Sequence, residues 1–129
     1  MTKEQFYVAY EHGTERAFTG AYWDNHEKGI YVSIGDGNPL FSSEDKFDSG
    51  TGWPSFTKPI KGAKILEVKD NSHFMERTEV LSKTDEVHLG HVFNDGPWLK
   101  GGRRYCINSA ALQFIPYESL SADEKSKYF

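Results

Sequence analysis

Short runs rich in β-branched and aromatic residues, each closed by glycine, proline, asparagine or aspartate, recur along this chain. Residues 29–34 run into Gly35-Asp36-Gly37-Asn38, a hairpin-type turn, and 39–42 resume an extended segment. Residues 65–69 run into Asp70-Asn71-Ser72, 74–81 into Ser82-Lys83-Thr84-Asp85, and 87–93 into Asn94-Asp95-Gly96-Pro97. Each run reads as a strand and each closure as a turn. A last run, opened by Gly101-Gly102, reads as a strand continuing from Arg104 to Phe114. Nine Phe, seven Tyr and three Trp, with twelve Gly and five Pro, favour the same conclusion, a β-rich domain rather than a helical bundle. Helical signals stand only near the ends. Thr2 can cap a short helix over 2–10, with Phe6 and Tyr10 as an apolar stripe. Ser121 with Glu124 has the capping-box spacing for a helix in the tail.

No repeat, low-complexity tract or linker interrupts residues 1–129, so one domain is expected. A domain this long buries roughly two-thirds of its unfolded-state surface and needs no staples. With one cysteine there is no internal disulfide. A net charge of −4 with no basic stripe argues against nucleic acid and anionic membranes. No apolar run is long enough to span a bilayer, and residues 1–5 lack a signal-peptide core, so a cytoplasmic protein is expected. In the mixed segment 15–28, Ala21-Tyr22-Trp23 is expected to anchor on the body of the domain. Residues 47–56 read as a glycine-punctuated loop, and its Trp53 is either the wall of a pocket or a plug for the end of the fold.

Cys106 lies in the last strand. Strand alternation puts Arg104, Cys106, Asn108, Ala110 and Leu112 on one face, with Tyr105, Ile107, Ser109 and Ala111 on the other. A lone free cysteine is most often a small buried hydrophobe. A guanidinium two residues away, however, can favour a thiolate. The run carrying His88 and His91 precedes the cysteine strand by one turn-containing connection. Antiparallel pairing would bring one of these histidines near Cys106. The two face opposite sides of a strand unless Gly90 makes a bulge. Arg104 and a histidine together are expected to lower the thiol pKa from roughly 8.5 toward 7 or below. His12 and His26 read as surface residues. Without further cysteines no structural metal site is expected.

Three segments carry a resemblance. Gly50-Thr51-Gly52-Trp53-Pro54-Ser55-Phe56, His88-Leu89-Gly90-His91-Val92-Phe93-Asn94-Asp95-Gly96-Pro97 and Arg104-Tyr105-Cys106-Ile107-Asn108-Ser109-Ala110 resemble the signatures of the type B methionine sulfoxide reductases, which reduce the R epimer. The resemblance extends from about residue 5 to 116. It implies a mainly β fold of two antiparallel sheets, the β-tent architecture, with short terminal helices. It implies Cys106 as nucleophile, His88, His91 and Asn108 as the other catalytic residues, Trp53 and Phe93 as the pocket for the sulfoxide methyl group, and Arg104 and Asp95 as supporting polar positions. The implied chemistry is attack of the Cys106 thiolate on the sulfoxide sulfur, protonation of the departing oxygen by a histidine, and release of methionine from a cysteine sulfenic acid.

Two departures from the pattern matter. Where many members of that family bind zinc through two Cys-x-x-Cys pairs, this chain has Ser33, Asp36, Ser82 and Asp85, so a zinc-free form with no metal or other cofactor is expected. Where many place a resolving cysteine, this chain has Thr51. Regeneration is then expected from an external thiol, thioredoxin or a small thiol such as glutathione. A monomer is expected, and Arg103 is expected to reach solvent. Two other readings compete: a non-catalytic module on the same fold that binds oxidised or methylated side chains, and a cysteine hydrolase.

Overall fold

The computed structural model describes residues 1–71 and 76–129. Helix α1 spans Lys3–Tyr10. The Thr2 hydroxyl accepts from the Gln5 N–H, and the Gln5 side chain accepts from the Thr2 N–H, a reciprocal cap. Eight residues are too few for an independent helix. What holds α1 is Val8 and Ala9, both fully buried in the core. Phe6 and Tyr10 do pair, with ring centroids 5.4 Å apart, but both are exposed. The expected stripe therefore faces solvent, and the buried face lies between its two members.

Among the described residues nine strands follow: β1 (Gly29–Ser33), β2 (Pro39–Ser42), β3 (Lys46–Phe47), β4 (Ser55–Phe56), β5 (Ile65–Asp70), β6 (Arg77–Ser82), β7 (His88–Phe93), β8 (Arg104–Ile107) and β9 (Leu112–Pro116). They form two antiparallel sheets, β2-β1-β9 and β3-β4-β8-β7-β6-β5. Helix α2 (Ala122–Tyr128) closes the chain behind a Ser121–Glu124 capping box. The expected mainly β fold with two sheets and short terminal helices is therefore present.

Boundaries differ where long-range pairing outweighs local signals. The ends of the 47–56 loop pair as β3 and β4, and β4 hydrogen-bonds to β8. Asp70 is the last residue of β5, opposite Arg77, rather than the start of a turn. The part of the expected 74–81 strand at Phe74 and Met75, and Ser72 of the expected turn, lie outside the described residues. The single strand expected from Arg104 to Phe114 is broken at Ser109–Ala111 by a tight helical turn. This turn carries the chain from the six-stranded sheet, which holds β8, to the three-stranded one, which holds β9. The alternation of faces consequently holds across Arg104 and Cys106 and not through Leu112.

Aromatic rings fill the space between the sheets. Phe41 and Phe56 stack at 4.5 Å, and Tyr31 meets Phe56 edge-on at 5.2 Å. A second cluster, Ile30, Val32 and Leu120, takes Tyr128 and Phe129 of the tail against it. Tyr22 anchors its segment as expected: its N–H donates to the Ser109 hydroxyl (3.1 Å) and its own hydroxyl accepts from the Phe114 N–H (3.2 Å).

The four positions that the resemblance links to zinc form a hydrogen-bonded clasp instead. Ser33 and Ser82 end β1 and β6, and Asp36 and Asp85 lie in the turns that follow, so each sheet contributes one pair. The Asp85 carboxylate accepts from the Ser33 hydroxyl, from the Asp36 N–H (3.0 Å) and from the Val87 N–H (3.1 Å). Burial by itself would raise the Asp85 carboxyl. The hydroxyls of Ser33 and Ser82 with those backbone donors outweigh it and hold the group below the usual carboxylate range. Oxygen donors already committed to one another, with no thiolate, do not suit zinc.

Candidate active site

Strand β8 lies between β4 and β7, so Cys106 has Ser55 opposite on one side and His91 opposite on the other. Directly opposed residues on paired strands bring their side chains together on one face. Of the two candidate histidines, it is His91 that meets the thiol in this way. The approach depends on Gly90, where a Cβ would come within 2.0 Å of the Cys106 carbonyl oxygen. Above Cys106 is a cavity of about 110 Å³ whose lining includes Thr14, Trp53, His91, Phe93 and Asn108. Trp53 is thus the wall of a pocket rather than a plug.

Strand β7 does carry a bulge, one residue before Gly90. Val80 pairs with Gly90 and Leu81 with His88, leaving Leu89 as the extra residue of β7. It places the rings of His88 and His91 5.7 Å apart, edge to face. Their surroundings differ. His91 lines the Cys106 cavity, and its Nε2 lies 2.8 Å from Asp70 Oδ2. His88 is only 1% exposed and belongs to an adjacent cavity with His12 and Glu79. Burial pushes the His88 pKa down to about 4, against a smaller opposing pull from Glu79, so His88 is neutral at physiological pH.

Cys106 departs from expectation. Arg104 and the Thr51 side chain both favour the thiolate. Burial outweighs both, and the thiol pKa is raised rather than lowered. Arg104 is itself held by Asp95 in a two-point ion pair, Nε to Oδ1 at 2.9 Å and a terminal N–H to Oδ2 at 3.2 Å. Its guanidinium lies 4.5 Å from the centre of the Phe93 ring. Arg104, Asp95 and Phe93 thus form one chain of contacts ending at the cavity. Arg103 does not simply reach solvent. It pairs with Glu67 on β5 and donates to the Tyr105 hydroxyl at 2.9 Å. His26 is a surface residue, paired with Asp48 at 3.0 Å.

The residue that sequence reasoning missed is Glu15, in the mixed segment after α1. It is 3% exposed. Its backbone N–H donates to Asn108 Oδ1 (2.9 Å), its carbonyl accepts from Trp53 Nε1 (3.0 Å), and its carboxylate accepts from the Ala110 N–H (2.8 Å). One residue thereby ties the cavity's indole, its carboxamide and the turn after Cys106 to a single point. Asn108 Nδ2 donates to the Leu89 carbonyl at 3.0 Å, so both ends of that amide are engaged by backbone. Burial raises the Glu15 carboxyl pKa against the hydrogen bonds from Ala110 and Ser109. Nothing local marks Glu15, because its partners are 38 to 95 residues away. Glu15→Ala is expected to lower stability by about 1–3 kcal/mol by orphaning a buried N–H. Glu15→Gln keeps an acceptor and should lose markedly less. Thermal melts of both variants check this, and equal losses would remove the hydrogen bond as the cause.

The site as a whole offers a sulfur nucleophile, an imidazole facing it across one strand pair, a cation beside it and two aromatic walls. A family described as SelR domain matches residues 1–116. The chain is 54% identical over 128 residues to a protein of Vibrio cholerae serotype O1 described as peptide methionine sulfoxide reductase MsrA/MsrB. That match covers 99% of this chain and 34% of the relative, so the chain spans about a third of the length of the curated relative it matches.

Proposed function

The chain belongs to the SelR-domain family, and from that premise we propose that it reduces the R epimer of methionine sulfoxide, free or preferably within peptides, through a sulfenic acid on Cys106. The observation that carries this reading is the direct opposition of Cys106 and His91 under an aromatic-walled cavity. The thioether methyl packs against Trp53 and Phe93, where sulfur and methyl groups meet aromatic faces favourably. Trp53 is held by its hydrogen bond to Glu15, so the wall keeps one orientation and can select one epimer.

The Cys106 thiolate attacks the electrophilic sulfoxide sulfur. His91 donates a proton to the developing sulfoxide oxygen. That oxygen ends on Cys106 as a sulfenic acid, the sulfoxide is reduced by two electrons, and the thioether leaves as methionine. His88, neutral and outside the cavity lining, is not placed to protonate the substrate and acts here as a packing partner of the His91 ring. Asn108 positions the β8 end through its bonds to Glu15 and Leu89. Arg104, steadied by Asp95, stabilises the thiolate. An external thiol then displaces water from the sulfenic acid, forming a mixed disulfide. A second thiol releases Cys106 and leaves the two reductant sulfurs joined. Thioredoxin or a small thiol fits that role, since Thr51 occupies the place of a second cysteine and this chain has only one.

The deciding experiment supplies racemic, N-blocked methionine sulfoxide with dithiothreitol and separates the remaining epimers by chromatography. Loss of the R epimer alone is expected. Loss of the S epimer would overturn the stereochemical assignment. Loss of neither epimer in folded protein, with no dimedone-trapped sulfenic acid, would favour a binding module.

A further inference from the structure

We propose that His12, Glu79 and His88 form a binding site for a single zinc-class divalent ion beside the Cys106 cavity. Nδ1 of His12 and Nδ1 of His88 converge on the same carboxylate oxygen, Glu79 Oε2, at 2.6 and 2.7 Å. The three ligand atoms lie within 4.8 Å of one another, and among the described residues they are the one such group of three or more. Two imidazoles and a carboxylate, leaving a fourth position open, are a ligand set that zinc accepts. This site is separate from the Ser33, Asp36, Ser82 and Asp85 clasp, and it departs from the expectation that the chain takes no metal.

Three observations point to a ligand rather than to a finished hydrogen-bonded knot. First, His88 is 1% exposed, yet neither of its ring nitrogens has an aligned hydrogen-bond partner among the described residues. Its Nδ1 is near the carboxylate but off the line a hydrogen bond needs. A buried imidazole with no partner is costly, and an ion placed between the three atoms would satisfy it. Second, His12 adopts a left-handed backbone with φ of 57°, uncommon outside glycine. That conformation, directly after α1, brings its ring over His88 in a stack at 5.2 Å. Third, there is an entry path. The His12 side chain is 54% exposed, whereas those of Glu79 and His88 are 15% and 2% exposed. An ion would meet an exposed ligand first and then two buried ones.

The geometry requires only a small opening. Nitrogen and oxygen ligands lie about 2.0–2.2 Å from zinc, so tetrahedral neighbours stand roughly 3.3 Å apart. The two contacts at 2.6 and 2.7 Å must therefore widen by somewhat more than half an ångström. The adjacent cavity of about 330 Å³, lined by all three residues, leaves room for that and for a water on the open position. Thr14 and His91 line this cavity as well as the Cys106 cavity, so a bound ion would lie against the wall of the nucleophile's pocket.

The test uses the full chain as Cys106→Ser, which removes the one thiol that would bind metal on its own. Metal-free protein is titrated with Co²⁺ while its visible ligand-field absorption is followed, and Zn²⁺ is then added to displace it. One equivalent of Co²⁺ with tetrahedral-type intensity, displaced by Zn²⁺ and accompanied by a higher melting temperature, is expected. The same titration is run on His12→Ala, which alters an exposed side chain, and on Glu79→Gln. Losing a partner that only supports a ligand already weakens metal binding about 10–100-fold, so losing a ligand should cost at least about tenfold. No absorption and no thermal shift would overturn the site. So would binding that survives His12→Ala unchanged. Either result leaves the proposed reductase chemistry untouched, since that is read from the epimer assay.

Discussion

Cys106→Ser is expected to abolish turnover of methionine sulfoxide while leaving the fold intact. Serine is close in size to cysteine, and Cys106 is only half-buried, so packing changes little. Its hydroxyl is a far weaker nucleophile and has no oxidation state equivalent to a sulfenic acid. Paired measurements decide it: steady-state turnover with dithiothreitol, and a thermal melt against the parent chain. Turnover retained at a measurable fraction would remove Cys106 from the mechanism.

The same thiol sets a pH dependence. Burial raises the Cys106 pKa, with Arg104 and Thr51 opposing it, so the empty site holds mostly thiol at neutral pH. Raising the pH toward that pKa increases the thiolate fraction up to about tenfold per unit. The single-turnover rate of sulfenic acid formation is thus expected to climb through the neutral and mildly alkaline range. A rate flat over that range would mean that deprotonation does not limit the step.

His91→Ala carries the second large effect. A positioned acid contributes about 10²–10⁴-fold to the step it serves. The residue faces Cys106 across the β7–β8 pair, and Asp70 holds its Nε2 side. Loss of the imidazole should slow single-turnover sulfenic acid formation by about that range with little change in KM. The aromatic walls of Trp53 and Phe93 that grip substrate remain in place. Trapping with dimedone over time, under single-turnover conditions, reads the step directly. An unchanged rate would move the acid role elsewhere.

The residues of this site were legible in the sequence to different degrees, and the differences have causes. Trp53, His91, Phe93, Cys106 and Asn108 sit in compact motifs and do gather around one cavity. Arg104 and Asp95, which the resemblance marks as supporting positions, pair with each other. The thiol pKa went the other way, because its direction is decided by how much water the finished fold excludes. His12 read as a surface residue, and half of its side chain is indeed exposed, yet its ring nitrogen meets Glu79, 67 residues away. Glu15 and Thr51 contact the site through partners that no local pattern announces.

What the sequence by itself determined is what a few adjacent residues can encode. Both capping boxes, the Gly35–Asn38 type of turn and the alternation that makes strands of the β-branched runs depend on dihedral preferences and donors within three or four positions. What only the tertiary structure decided is pairing and burial. The turn at Ser109–Ala111 sends β8 and β9 to different sheets, and the Leu89 bulge turns His88 toward His91. Glu15 reaches Ala110 and Asn108 only after the sheets have packed. These outcomes sum many weak contacts between segments far apart in the chain, and no one segment holds enough of that sum to declare it.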